Sequence, residues 1–211
     1  MKILLVSIIF IGIGILAYSI KSFEFFLIAL IALALIFLVV TGLIHIFNKM
    51  SFLYFQIPFL IIGVCLFGIV VSLFRPYEAA VINYGNTGDQ IKHAYQTDQS
   101  DRKQLKSFVS IFSSLKQRDT QRLNFVKELY VQGKIKSPAE KFYAAFIYHH
   151  SNNSNDYKIA AELAAEAAKT NEMKDHYQAQ WLKKAAYDRW MVSIGKPEKY
   201  NTQNSFKIKI E

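Results

Sequence analysis

Asp98 and Arg102 stand four residues apart, Asp119 and Arg122 three apart, and the adjacent His149 and His150 follow Phe142 and Phe146. Stepped backwards along a helical period, the apolar stripe of Leu105 and Val109 lands on Arg102 and Asp98. That of Leu123 and Val126 lands on Arg122 and Asp119. The stripe of Phe142 and Phe146 continues to the histidines, and Tyr177, Trp181 and Ala185 lead to Asp188, with Val192 beyond. Four helices thus turn an ionisable group towards the core side, where burial is expensive unless the groups pair. Asp98, Arg102, Arg122, His150 and Asp188, gathered at one end of a bundle, would line a polar pocket able to bind a ligand. With Asp98 and Asp188 as carboxylates and His150 as shuttle, the same group could do acid–base chemistry. The plainer alternative leaves Asp98/Arg102 and Asp119/Arg122 as ordinary helix-surface pairs, Asp188 beside one core arginine, and the histidines at a helix end.

Other chemistries lack their residues. Adjacent histidines diverge by about 100° around a helix, no HExxH or cysteine pair is present, and no metal is expected. No G-x-S-x-G, P-loop or G-x-G-x-x-G motif occurs, and no cofactor is implied. The single cysteine, Cys65, lies in an apolar run and reads as a small apolar side chain.

The elements that must position these residues fall into two parts. Before Arg75 there are three basic residues (Lys2, Lys21, Lys49) and one acid, Glu24; the remaining 22 basic and 15 acidic residues leave a net +7. Residues 1–74 hold three uncharged runs, predicting transmembrane helices over 3–20, 25–47 and 52–74, each near the length that crosses roughly 30 Å of hydrocarbon. A cleaved signal peptide competes for the first run, but no A-x-A-like site precedes Lys21 and two further spans follow. Gln56 and Pro58 read as an interfacial kink, and Gly68 with Ser72 as one small-xxx-small packing pair. Lys2 and Lys49 on one side balance Lys21 and Arg75 on the other, so the positive-inside rule leaves the side of the C-terminal domain open.

Residues 75–88 read as a linker, 89–203 as a helical soluble domain and 204–211 as a tail, an edge strand or an arm on a partner or membrane. Leu105, Phe108, Val109, Phe112 and Leu115 predict one helix, and Leu123, Val126, Leu129 and Tyr130 another, stopped at Gly133. Ser137-Pro138-Ala139-Glu140 spells a capping box that opens the helix of Phe142, Ala145 and Phe146. An Ala-rich helix from Asp156 to about Lys169 and a last one from about Glu172 to Ile194, closed by Gly195 and Pro197, complete the set. The fold class is therefore all-α: a three-helix transmembrane bundle followed by an irregular, tetratricopeptide-like α-hairpin domain.

Tyr95-Gln96-Thr97-Asp98-Gln99-Ser100-Asp101-Arg102, Asp119-Thr120-Gln121-Arg122, Ala144-Ala145-Phe146-Ile147-Tyr148-His149-His150, Asp188-Arg189 and Gly195 to Gln203 occur in that order. Their combination, over residues 90 to 203, resembles a bacterial family known only as a domain of unknown function, DUF6624. Glu198 and Asn201 depart from the family's Gln and Gly, both in the terminal loop. The resemblance implies no reaction. It does imply that Asp98, Arg102, Arg122, His150, Asp188, Arg189 and Gln203 are signature positions and ligand-binding candidates.

The expectation is a multi-pass protein of a bacterial inner membrane whose helical domain binds a partner or a small anionic ligand and couples it to the membrane helices. A sensor or effector of stress or antiphage defence, as a homo-oligomer or with a protein partner, fits this build by analogy. A nucleotide is a candidate ligand; the scattered lysines of the soluble part disfavour nucleic acid. A membrane-tethered enzyme and a structural assembly subunit are the alternatives.

Overall fold

The computed structural model describes residues 2–203; the expected tail, 204–211, lies outside the described residues. Among the described residues the chain is all-helical, with α1 (Lys2–Ser19), α2 (Phe23–Phe47), α3 (Leu53–Leu73), α4 (Thr87–Asp101), α5 (Leu115–Val131), α6 (Pro138–His149), α7 (Ser154–Ala168) and α8 (Tyr177–Ser193). A 3-10 turn, Leu105–Phe108, separates α4 from α5.

The chain divides into two compact units, Met1–Tyr77 with Ser100–Ser114, and Glu78–Gln99 with the chain from Leu115 onward. A boundary drawn once, near residue 88, misses the return of residues 100–114 to the first unit.

In the first unit α3 packs against both α1 and α2. Gly68 is the reason α3 can approach both, because a Cβ there would stand 2.7 Å from Ile13 Cγ2 of α1 and from Leu27 Cδ1 of α2. Ser72, one turn on, is buried and returns its hydroxyl to the Ile69 carbonyl at 2.7 Å. The outward faces remain apolar: Leu33, Ile36, Phe37 and Val40 of α2 and Phe59, Leu66 and Val70 of α3 are exposed. Helices α2 and α3 are long and apolar enough to cross a membrane, whereas the apolar helix Leu4–Ser19 is shorter.

The connector ends of these helices carry buried ions. Arg75 donates from Nε to the Tyr18 carbonyl (2.9 Å) and from Nη2 to those of Ile20 (2.7 Å) and Ala17, so its guanidinium closes the unpaired C-terminal carbonyls of α1. Nη2 also meets Glu24 Oε2 at 3.3 Å, and both side chains are buried. Glu24 Oε1 accepts from the Leu105 amide at 3.0 Å. Lys106 donates to the Arg75 carbonyl and lies 3.4 Å over the Tyr77 ring.

The helix expected over 105–115 does not form. Only Leu105–Phe108 winds, as a 3-10 turn, and Phe108 and Ile111 are exposed. Serine hydroxyls divert the backbone, Ser107 Oγ donating to the Asp101 carbonyl at 2.6 Å and Ser113 Oγ to that of Ser107 at 2.8 Å.

In the second unit α6, α7 and α8 pack each on the next, and the core holds Val126, Phe142, Ala145, Phe146, Ala160, Ala164, Leu182 and Ala186. Alanine faces let α7 seat closely between its neighbours. The expected capping box is present: Ser137 Oγ accepts from the Glu140 amide at 3.2 Å, and Glu140 Oε2 accepts from the Ser137 amide at 2.8 Å. Gly133 (φ 63°) and Gly195 (φ 72°) terminate α5 and α8 in the left-handed region that a Cβ disfavours. Helix α8 starts at Tyr177 rather than near Glu172, because His176 caps it, its Nδ1 accepting from the Ala179 amide at 3.2 Å.

Candidate functional site

Asp98 faces inward from the last turns of α4 and is almost wholly buried. Its Oδ2 accepts from Gln99 Nε2 at 2.8 Å, and His150 Nδ1 stands 3.2 Å from Oδ1 and 3.1 Å from Oδ2. Arg122, from the middle of α5, has zero exposure. Its Nη1 lies 3.8 Å from Asp98 Oδ1 and donates to Asp119 Oδ1 at 3.1 Å, while Nε donates to Thr97 Oγ1 at 3.2 Å. The buried Thr97 hydroxyl is itself held to the Ala80 and Ala94 carbonyls, both at 3.1 Å. A buried cation is thus shared by two carboxylates, one buried and one partly exposed, and each ion has a partner.

A pocket of about 290 Å³ opens beside this cluster, lined by Leu115, Lys116, Asp119, Thr120, Leu123, Ile147, His150, Ser151 and Asn152. It combines the N-terminal turn of α5 with the C-terminal end of α6 and the loop after it. His150 belongs to the lining and also touches the buried ions: Nδ1 contacts Asp98, which sets the ring's orientation and leaves Nε2 for other chemistry. Ser151 is fixed from behind, donating to Asp156 Oδ2 at 2.6 Å, a carboxylate that Lys127 Nζ also meets at 2.8 Å. Burial, then the neighbouring Tyr143 and Asp98, push the Tyr95 phenol above its ordinary range. The Tyr95 ring packs on Phe142, Tyr143 and Phe146, tying α4 to α6.

Asp188, Arg189 and Gln203 go elsewhere. Asp188 is buried, but its carboxylate binds the terminal loop: Oδ1 accepts from the Lys199 amide (2.8 Å) and the Tyr200 amide (3.0 Å), and Oδ2 from the Thr202 amide (3.0 Å) and hydroxyl (2.8 Å). Burial raises its pKa, the Thr202, Lys199 and Tyr200 donors lower it, and the net shift is below the ordinary aspartate value. The pairing of Asp98 with Asp188 as acid–base carboxylates therefore gives way to Asp98 with His150. The stripe used to place Asp188 also fails, since Tyr177, Trp181 and Val192 are exposed and the buried face of α8 is Ala179, Leu182, Ala185, Ala186 and Met191.

Arg189 stacks 4.8 Å over the Tyr157 ring and donates to its hydroxyl at 3.3 Å, a packing role. Gln203 donates from Nε2 to the Ala185 carbonyl at 3.3 Å and serves the same loop as Asp188. Arg102 lies half-buried in the turn after α4, within the segment that belongs to the first unit. Sequence reasoning missed Asp119, Lys116, Ser151 and Asn152 as lining residues. Asp119 was in view on the inward stripe with Arg122 and as its helix-surface partner, but not as a pocket residue, and the loop residues have no periodicity to place them. Among the described residues no group of three or more metal-ligating side chains is assembled.

Compared with protein families, curated proteins and solved structures, the chain matches none of the three.

Proposed function

We propose that the protein is a multi-pass bacterial membrane protein whose helical domain binds a small anionic ligand, a phosphate or nucleotide, beside His150. In this reading α1–α3 form a three-helix transmembrane bundle in the inner membrane, and α5–α8 form a tetratricopeptide-like hairpin domain. Support for the membrane part comes from two helices of spanning length and the exposed apolar faces around them. One observation carries the ligand site: a pocket whose His150 is anchored to the buried Asp98–Arg122 pair. Lys116 and the N-terminal turn of α5 add positive potential at its rim. Signature positions of the DUF6624 resemblance, Asp98, Arg122 and His150, supply this cluster. Binding is coupled to the membrane helices through α4, which carries Asp98 and continues into the segment 100–114. A sensor or effector role, in an oligomer or with a protein partner, follows from that coupling.

A second reading is favoured by one contact. The 3.1 Å approach of His150 Nδ1 to Asp98 is the arrangement by which a carboxylate orients an imidazole for proton transfer, with Asp119 as a further carboxylate at the pocket. This is the tethered-enzyme alternative with Asp98 and His150 as its members.

The test is a titration of the full chain in detergent with inorganic phosphate and with adenosine monophosphate, following the imidazole nitrogens of His150 by 15N NMR. A saturable change at His150, lost in Lys116→Gln, is the expected result. A folded protein that responds to neither anion overturns the anionic-ligand reading.

A further inference from the structure

The segment Leu105–Ser113 is apolar where it has no reason to be. Phe108 is 67% exposed and Ile111 86%, and Phe74, which follows α3, is 66% exposed. In water such a cluster is costly. Its level in the first unit is set by four separate ties. Ser22 Oγ, in the α1–α2 connector, donates to the Lys103 carbonyl at 2.7 Å. The Leu105 amide donates to Glu24 in the first turn of α2. Lys106 reaches the carbonyl of Arg75, just past α3, and the Phe112 ring packs edge-on against Phe74 with centroids 5.4 Å apart.

All four ties end where a spanning helix begins or stops. Polar and apolar groups are mixed there as a headgroup layer requires: Lys21 and Lys103 are exposed beside the connector, and Ser107 and Ser113 hydroxyls satisfy backbone carbonyls.

We infer that Leu105–Ser113 is an interfacial segment that lies in the headgroup layer of the membrane, with Phe108 and Ile111 dipping into the acyl boundary. The inference rests on the membrane reading of α1–α3. It goes beyond that reading in giving a stretch of the predicted soluble domain to the lipid surface. Aromatic and aliphatic side chains at the level of the helix ends gain free energy as their surface is taken from water. The short turn, tied at both ends, is ordered before lipid arrives.

The experiment uses the full chain with Cys65→Ala, reconstituted in vesicles of three parts phosphatidylcholine to one part phosphatidylglycerol. An environment-sensitive nitrobenzoxadiazole label is placed at Ile111→Cys, at Phe37→Cys in α2, and at Val131→Cys in the second unit. Each is read with lipids carrying a quencher just below the headgroup. A blue-shifted label at 111, quenched at least threefold more than that at 131, is the expected result. Water-like, unquenched emission at 111 with quenching at 37 overturns the inference and leaves the membrane reading intact. Unquenched emission at 37 overturns the membrane reading and the inference with it.

Discussion

Replacing Arg122 by methionine tests the ionic cluster most directly. The guanidinium has no exposed surface, holds Asp119 at 3.1 Å, stands 3.8 Å from Asp98 and donates to Thr97. Methionine keeps most of the volume and removes the charge, so Asp98 stays buried without the guanidinium, its other contacts including Gln99 and His150. Leaving one member of a buried pair uncompensated costs about 3–5 kcal/mol, against a total stability of roughly 5–15 kcal/mol for a domain. The melting temperature should fall by on the order of 10 °C. Both tryptophans, Trp181 and Trp190, lie in α8, so intrinsic tryptophan fluorescence reports the second unit without a contribution from α1–α3. Asp98→Asn, by neutralising the carboxylate that has lost the guanidinium, should recover a substantial part of the loss in the double variant. A loss below about 1 kcal/mol for Arg122→Met, or strict additivity across the double-mutant cycle, would show that the pair is not coupled as its geometry demands.

Two further perturbations reach other parts of the molecule. Asp188→Asn exchanges a carboxylate accepting four short bonds for an amide with one acceptor oxygen, and should destabilise the terminal loop by about 1.5–3 kcal/mol, read as faster hydrogen exchange at the Tyr200 and Thr202 amides. Because the folded Asp188 titrates below its unfolded value, its contribution is present above the ordinary aspartate range and vanishes as pH falls through the lowered folded value. Protection of those amides should follow the same course in the parent chain, and a pH-independent protection refutes the assignment. Gly68→Val places carbon within 2.7 Å of Ile13 and Leu27, and should separate α3 from α1 and α2. Cross-linking between cysteines at Phe10 and Phe67, whose rings stand 5.3 Å apart, measures that separation; unchanged cross-linking with unchanged thermal stability contradicts the close-packing role of Gly68.

Helical periodicity made most of the all-α class legible, because Val126 and Leu129 in α5 and Phe142, Ala145 and Phe146 in α6 repeat at core spacing. Caps were legible for the same local reason: Ser137 and Glu140 need only their own turn. The pattern misled at 105–115, where residues spaced as for a buried helix wind only as the 3-10 turn Leu105–Phe108, with Phe108 exposed, and serine hydroxyls redirect the backbone. Half of the site was readable as charges on apolar stripes, Asp98 and Arg122 among them. Asp188 was readable as inward but not as a loop anchor, since its donors are amides ten or more residues away that carry no side-chain signal. Arg75 was weighed as a topological charge and Glu24 only counted, although the two pair with each other and with neighbouring backbone groups. Pairing across fifty residues has no local periodicity to announce it.

The return of residues 100–114 to the first unit has a consequence for biogenesis. Glu24 is translated with α2 long before Leu105, and Arg75 before the Lys106 that reaches its carbonyl. During synthesis the Glu24 carboxylate and the Arg75 carbonyl therefore await donors from a segment more than eighty residues downstream of Glu24. Completion of the first unit is therefore a late step, and release of the nascent chain after α4 would leave Glu24 and the Arg75 carbonyl without the donors that Leu105 and Lys106 supply.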